Sequence, residues 1–251
     1  MIRSSSPLLI SGVLASATFV LADVLASTIA AEEHSSDGHR QYSMTHNSIS
    51  ELLIPDITPT LARTVGITLM SASDILGMIF GFCGILQVTN RVVELASRSD
   101  QSKRGSRRST KHDRSSADKK ISFEQRLQIR SGMYRGGLFL GLASFCNLAS
   151  ALIFPQDVRG QVSTFAGRMH LILVAGSVLL SLTAMYFLAG AIRSHSFQQF
   201  TLLVVSLMFA GGIFSPLAEG VGFLGVAERL AAYAYVTWQA VLAIQLIYLC
   251  S

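Results

Sequence analysis

Apolar residues fall in long blocks along this chain, and polar residues gather between them. Six blocks are long enough to cross a hydrocarbon core, which takes about 20 helical residues: 7–31, 64–88, 131–155, 169–192, 200–215 and 223–250. The pattern predicts an all-α fold, a polytopic membrane bundle of six transmembrane helices in one domain. The first block begins with Arg3 and ends in small residues, as a signal peptide would. Its apolar run exceeds the usual signal core, so it is read as a retained helix.

Composition agrees with the pattern. Half of the 251 residues are hydrophobic and only 14% are charged, too few to cover a soluble domain of this size. The net charge of +5 is local. Residues 91–130 hold twelve Lys/Arg against five Asp/Glu, net +7, so the remainder sums to −2. A basic loop between spans faces the cytoplasm. That predicts both termini cytoplasmic and the acidic 32–63 loop extracytoplasmic, in a multi-pass protein of the plasma membrane. Residues 97–120, SRSDQSKRGSRRSTKHDRSSADKK, contain almost nothing apolar and are predicted to be disordered. The loop is read as a topology determinant and solvated linker, with attraction to anionic lipid heads as the alternative reading. It lacks the interleaved aromatics of a nucleic-acid binder, so no nucleic acid is expected as partner.

The 32–63 loop contains YSMTHNSISELLIPD, residues 42–56. Ser48-Ile49-Ser50-Glu51 fits a capping box, in which Ser48 and Glu51 satisfy each other's backbone N–H. Leu52, Leu53 and Ile54 follow, and Pro55 stops the run. A helix of about two turns is expected.

Ionisable residues inside spans are costly and suggest function. Asp23 lies about 12 Å below the outer end of the first helix and Asp74 about 15 Å into the second. Asp157, Arg159, Arg168 and His170 surround the turn between the third and fourth helices; Glu228 and Arg229 open the sixth. With His46, Ser50 and Glu51 they all fall in the outer half. The expectation is one polar pocket there, roofed by the capped helix. Structural readings stand beside it. Asp23 and Asp74 can bond each other or Ser71 and Ser73; Glu228–Arg229 can pair with Asp157, Arg159 or Arg168; His170 can cap the fourth helix.

No catalytic or nucleotide-binding motif is present. Cys83, Cys146 and Cys250 are isolated in apolar blocks, and the histidines lack metal-ligand spacing, so neither metal nor cofactor is expected.

HNSISELL after the first helix, IFPQDVRG with GRMHLILVAGS before and into the fourth, and GVAERLAAYAYVTW in the last together resemble the DUF998 family of integral membrane proteins. The resemblance spans most of the chain except the basic insertion. It implies a six-helix membrane protein and no established reaction. Its marked positions here are Ser50, Glu51, Leu52, Phe154, Pro155, Asp157, His170, Glu228, Arg229 and Trp238.

Three functions fit. The first is binding or transport of a small amphiphile or lipid head group, with Asp23 and Asp74 relaying protons. The second is a membrane enzyme at the outer leaflet. It would use His46 or His170 as base, Glu51 or Asp157 as orienter, and Arg159, Arg168 or Arg229 as anion clamp. The third is a structural or assembly protein.

Overall fold

A computed structural model describes residues 7–34, 42–54, 57–91, 123–158, 162–220 and 222–250. Among these residues the chain is all helical, with no strand. Six long helices follow one another: α1 (Pro7–His34), α2 (Thr60–Ile79), α3 (Phe123–Leu152), α4 (Phe165–Ile192), α5 (His195–Gly220) and α6 (Leu224–Cys250). Past Ile79 the second helix passes through a π-helical turn, Phe80–Gly84, and resumes over 85–91. Among the described residues, five stretches are long and apolar enough to cross a membrane: Pro7–Glu32, Thr60–Arg91, Leu127–Leu152, Phe165–Ile192 and Leu224–Leu249. The helix at 195–220 is longer at both ends than the 200–215 block that announced it. The basic segment 97–120, Arg159, Pro55 and Asp56 lie outside the described residues.

Apolar side chains point both ways, as a bundle in lipid requires. Trp238, Phe80, Leu140, Met185, Leu188, Leu242 and Leu246 form the interior, each essentially inaccessible. Leu21, Leu171, Leu179, Tyr186 and Leu202 are exposed on the perimeter.

Lipid tails give helices no hydrophobic reason to associate, so close backbone contact matters more. Gly77 and Gly81 on α2 stand four residues apart, as do Gly137 and Gly141 on α3. A Cβ at Gly81 would stand 2.5 Å from Gly141 N, and one at Gly137 would stand 2.7 Å from Gly81 O. The two helices therefore cross backbone to backbone. This contact sets the height at which the polar residues of α2 and α3 meet. At the other end of α4, Arg193 adopts a left-handed conformation (φ 53°) and α5 starts at His195, so the hairpin is very tight.

Candidate functional site

The end of the bundle beneath the 42–54 segment carries a saturated polar knot. Arg229 of α6 donates from Nε to Asp23 Oδ2 at 2.9 Å and from Nη2 to Asp23 Oδ1 at 2.8 Å. Asp23, on α1, is completely buried. The remaining donors of the guanidinium are also used. Nη1 reaches the carbonyls of Met44 (2.7 Å), Asn47 (2.9 Å) and Gly225 (3.3 Å). Nη2 further reaches Ser27 Oγ (3.2 Å) and Tyr42 Oη (2.9 Å). Asp23 also accepts from Tyr233 Oη at 2.6 Å and Ser27 Oγ at 3.2 Å. A planar five-donor fork suits this many fixed acceptors, and a lysine would not. Burial pushes the Tyr42 phenol up, against the pull of Arg229 beside it. Asp23 is therefore bonded to α6 and not to Asp74, contrary to one reading of the sequence.

The 42–54 segment is held over this knot. The capping box forms as expected: Glu51 N donates to Ser48 Oγ (3.2 Å), and Glu51 Oε2 accepts from Ser48 N (2.9 Å) and Asn47 Nδ2 (3.1 Å). The turn it starts is a single 3-10 turn, Ser50–Leu53, shorter than the two-turn helix expected. Pro55 leaves too few residues for a second turn. Glu228, the residue before Arg229, accepts from Ile49 N at 3.0 Å and Ser50 Oγ at 3.3 Å. Among the described residues the Glu228–Arg229 pair thus serves the loop and α1, and bonds neither Asp157 nor Arg168 of the turn between α3 and α4. Gly225 donates to Thr45 O (3.0 Å), and any side chain there would run into the Met44 and Asn47 carbonyls. His46 is exposed; its Nδ1 lies 2.8 Å from Thr45 Oγ1 and 3.1 Å from Ser43 Oγ.

Asp157, Arg168 and His170 form a second group at the same end of the bundle. Asp157 accepts from Thr164 N and Thr164 Oγ1, both at 2.7 Å, and Thr164 Oγ1 in turn caps α4 by accepting from Gly167 N at 3.1 Å. These bonds from Thr164 hold the Asp157 carboxyl below the usual carboxylate range. Arg168 reaches back to Thr164 O at 3.4 Å. His170 does not cap α4. Its buried Nδ1 faces the carbonyls of Phe154 (2.9 Å) and Ser150 (3.3 Å), so it must carry a proton, and it ties off the end of α3. The single outer pocket expected from the sequence is thus divided between two groups, each closed by its own partners.

Asp74 stands apart, deeper. It lies 14 residues along α2 from Thr60, about 21 Å at 1.5 Å per residue. It is therefore near the middle of the Thr60–Arg91 span. The Asn147 side chain of α3 is its hydrogen-bonding neighbour. Helical spacing brings more polar groups to the same level. Asn147 and Ser144 are three apart on α3; Tyr235 and Gln239 are four apart on α6; each pair shares a helix face. The Tyr235 hydroxyl lies among Asp74, Ser144 and Ser181. Gln239 Nε2 and Ser144 Oγ both adjoin the space a Cβ on Gly77 would fill, at 3.5 and 2.5 Å. Among the described residues, the buried Tyr235 Oη and Gln239 Nε2 make no close hydrogen bond. A buried polar atom left so costs about 1–3 kcal/mol. Asn147, Ser144, Ser181, Tyr235 and Gln239 were not singled out in the sequence, because none is ionised at neutral pH and each is set in an apolar run. Polar residues repeating at three or four within three different spans was the available signal.

Residues 128–245 match the family model described as "Protein of unknown function (DUF998)". That stretch of the chain is similar to the DUF998 family. It includes Asp157, His170, Glu228, Arg229, Tyr235 and Gln239; α1, the capped turn and Asp74 lie before the matched residues. Ser50, Glu51 and Leu52 therefore keep their assignment only by resemblance to the DUF998 pattern. No curated protein and no solved structure matches the chain with significance.

Proposed function

We propose that this protein binds, and carries across the bilayer, a small amphiphile or lipid head group. The polar chamber around Asp74 is its working site. The observation that carries this reading is the contrast between two acids set within the spans, Asp23 fully buried and Asp74 partly so. Asp23 has every oxygen engaged by Arg229, Tyr233 and Ser27. Asp74 has no ion-pair partner among the described residues; its hydrogen-bonding neighbour is the neutral Asn147, and Tyr235 Oη and Gln239 Nε2 on α6 are left without a close bond. Buried polar groups in a stable scaffold are paired, and a group of unpaired ones at mid-depth is where solutes bind in membrane carriers. The π turn six residues beyond Asp74 supports it, since such turns recur at functional sites.

An apolar groove of about 650 Å³ supports an amphiphilic ligand. It runs between α1 and α6, lined by Val13, Ala17, Val20, Leu21, Val236 and Ala240. The same turns of α6 carry Tyr235 and Gln239 on another face. The perimeter is largely apolar, so membrane lipids are its expected neighbours. The reading takes all six helices as spans of the cell membrane with both termini cytoplasmic, as the basic loop implies.

The outer group has a different part: it fastens the loop, α1 and α6 together as a closed outer face. That makes a structural role the better account of Asp23, Glu51, Glu228 and Arg229. The test is extraction of small molecules that co-purify with the protein in mild detergent, identified by mass spectrometry. An amphiphile enriched with the natural protein and depleted with Asp74→Asn at equal folded yield supports the reading. Identical extracts from the two proteins contradict it.

A further inference from the structure

Two arginines within the spans are placed in opposite ways. Arg229 uses its donors inside the protein. Arg135 of α3 is exposed on the perimeter, and among the described residues its N–H groups bond nothing. Its guanidinium carbon lies over the Phe187 ring of α4, 5.7 Å from the ring centre. Phe187 is itself stacked on Phe139, one turn along α3, with ring centres 5.8 Å apart, and meets Tyr186 edge-on at 5.5 Å. The two helices touch closely beside it: a Cβ on Gly132 would stand 3.2 Å from the Ala191 Cβ and from the Phe187 carbonyl oxygen. The shelf under Arg135 is therefore firmly packed. A ring contact occupies the face of a guanidinium and leaves its in-plane N–H donors for an acceptor.

Depth decides which acceptor. The span of α3, Leu127–Leu152, has 26 residues. That is ~39 Å of helix against a hydrocarbon core of about 30 Å. Arg135 comes eight residues after Leu127, so its Cα lies roughly 7 Å inside the core when the overhang is shared between the ends. Side chains lean toward the N-terminus of their helix, which for α3 is the end that carries the α4–α5 hairpin. The long stem thus returns the charge to the level of the lipid head groups. Gln128 and Ser131 stand on the same face of α3, nearer that end, and both are exposed. Arg193 in the hairpin is exposed as well, two residues past Ala191. The nearest acid in α3, Glu124, is eleven residues from Arg135, ~16 Å of rise. Asp23, Glu51, Asp157 and Glu228 belong to the opposite end of the bundle. One turn deeper on the Arg135 face, Leu138 is exposed and apolar.

We propose that this face of α3 and α4 binds one phospholipid with a net negative head group. Arg135 takes the phosphate on its in-plane donors, Gln128, Ser131 and Arg193 meet the rest of the head group, and an acyl chain lies along Leu138. A zwitterionic lipid would bring its own cation to the level of Arg193. The proposal rests on the helices being spans and not on the chamber at Asp74, so either can fail alone.

The full chain in detergent micelles is titrated with phosphatidylglycerol, phosphatidylcholine or inorganic phosphate. Thermal unfolding is followed, and retained lipid is counted by native mass spectrometry. The expected result is a saturable rise of the midpoint with phosphatidylglycerol and one retained molecule per chain; phosphatidylcholine and inorganic phosphate give neither. Arg135→Leu should weaken phosphatidylglycerol binding by at least about tenfold at unchanged folded yield, since leucine suits the perimeter. Arg135→Lys keeps the charge without the stacked fork and should fall between. Arg107→Ser with Arg108→Ser removes two charges from the basic segment and should leave the retained lipid in place. Equal retention of the two lipids, a response matched by inorganic phosphate, or unchanged binding by Arg135→Leu overturns the proposal. So does an equal loss in the Arg107/Arg108 variant, which would mean diffuse attraction to the basic segment.

Discussion

Arg229 grips Asp23 through two hydrogen bonds, at 2.9 and 2.8 Å, across 206 residues of sequence. Both side chains are buried, so removing one leaves the other charge without solvent or partner. Asp23→Ala and Arg229→Leu should each lower stability by about 3–5 kcal/mol. Replacing both together with apolar residues should recover most of that loss. Arg229→Lys should behave like a loss, because an ammonium cannot hold both carboxylate oxygens along with the Met44, Asn47 and Gly225 carbonyls. Denaturation of detergent-solubilised variants, analysed as a double-mutant cycle, checks this.

Loosening the roof should be a milder change. Ser48→Ala removes one arm of the capping box, at a cost of about 1 kcal/mol. It frees the 42–54 segment without touching the ion pair below. Limited proteolysis should cut this loop faster in the variant, while global unfolding moves little.

Asp157 supplies a pH dependence with a definite sign. Its carboxyl is held lower in the folded protein than in the unfolded chain by the Thr164 bonds. That contribution is fully present above the unfolded value of about 3.9 and is lost as pH falls through the lower folded value. Thermal unfolding followed from pH 6 downward should show a loss below about pH 4 that Asp157→Asn largely removes. Asp157 is partly open to solvent, so the effect is small. A variant that keeps the full acid dependence would mean the Thr164 bonds contribute nothing.

His170→Ala should lower the unfolding midpoint, since the Phe154 and Ser150 carbonyls would lose their buried donor, worth about 1–3 kcal/mol. Unchanged stability with loss of function would instead favour His170 as a reacting group.

The apolar blocks already announced the helices, because length and composition decide a span before any tertiary contact forms. The capping box was equally legible, since Ser48 and Glu51 lie three residues apart and settle each other's bonds locally. The pairing of Asp23 with Arg229 was not. It depends on which faces α1 and α6 turn to each other, and a run that is apolar all round does not mark its face. The chamber was harder still. Asp74 could be seen as a buried acid, but Asn147, Tyr235 and Gln239 carry no charge, and only the Gly81–Gly137–Gly141 crossing brings α2 and α3 to matching heights.

The central claim is that Asp74 is retained for a ligand, and Asp23 for the fold. Thermal unfolding of Asp74→Asn in nanodiscs, beside Asp23→Asn, tests it most directly. Asp74 has no ion-pair partner among the described residues to leave stranded, so the substitution should match or exceed the natural protein's midpoint, while Asp23→Asn falls well below it. An Asp74→Asn midpoint as low as that of Asp23→Asn would mean that both acids are structural, and the chamber would lose its function.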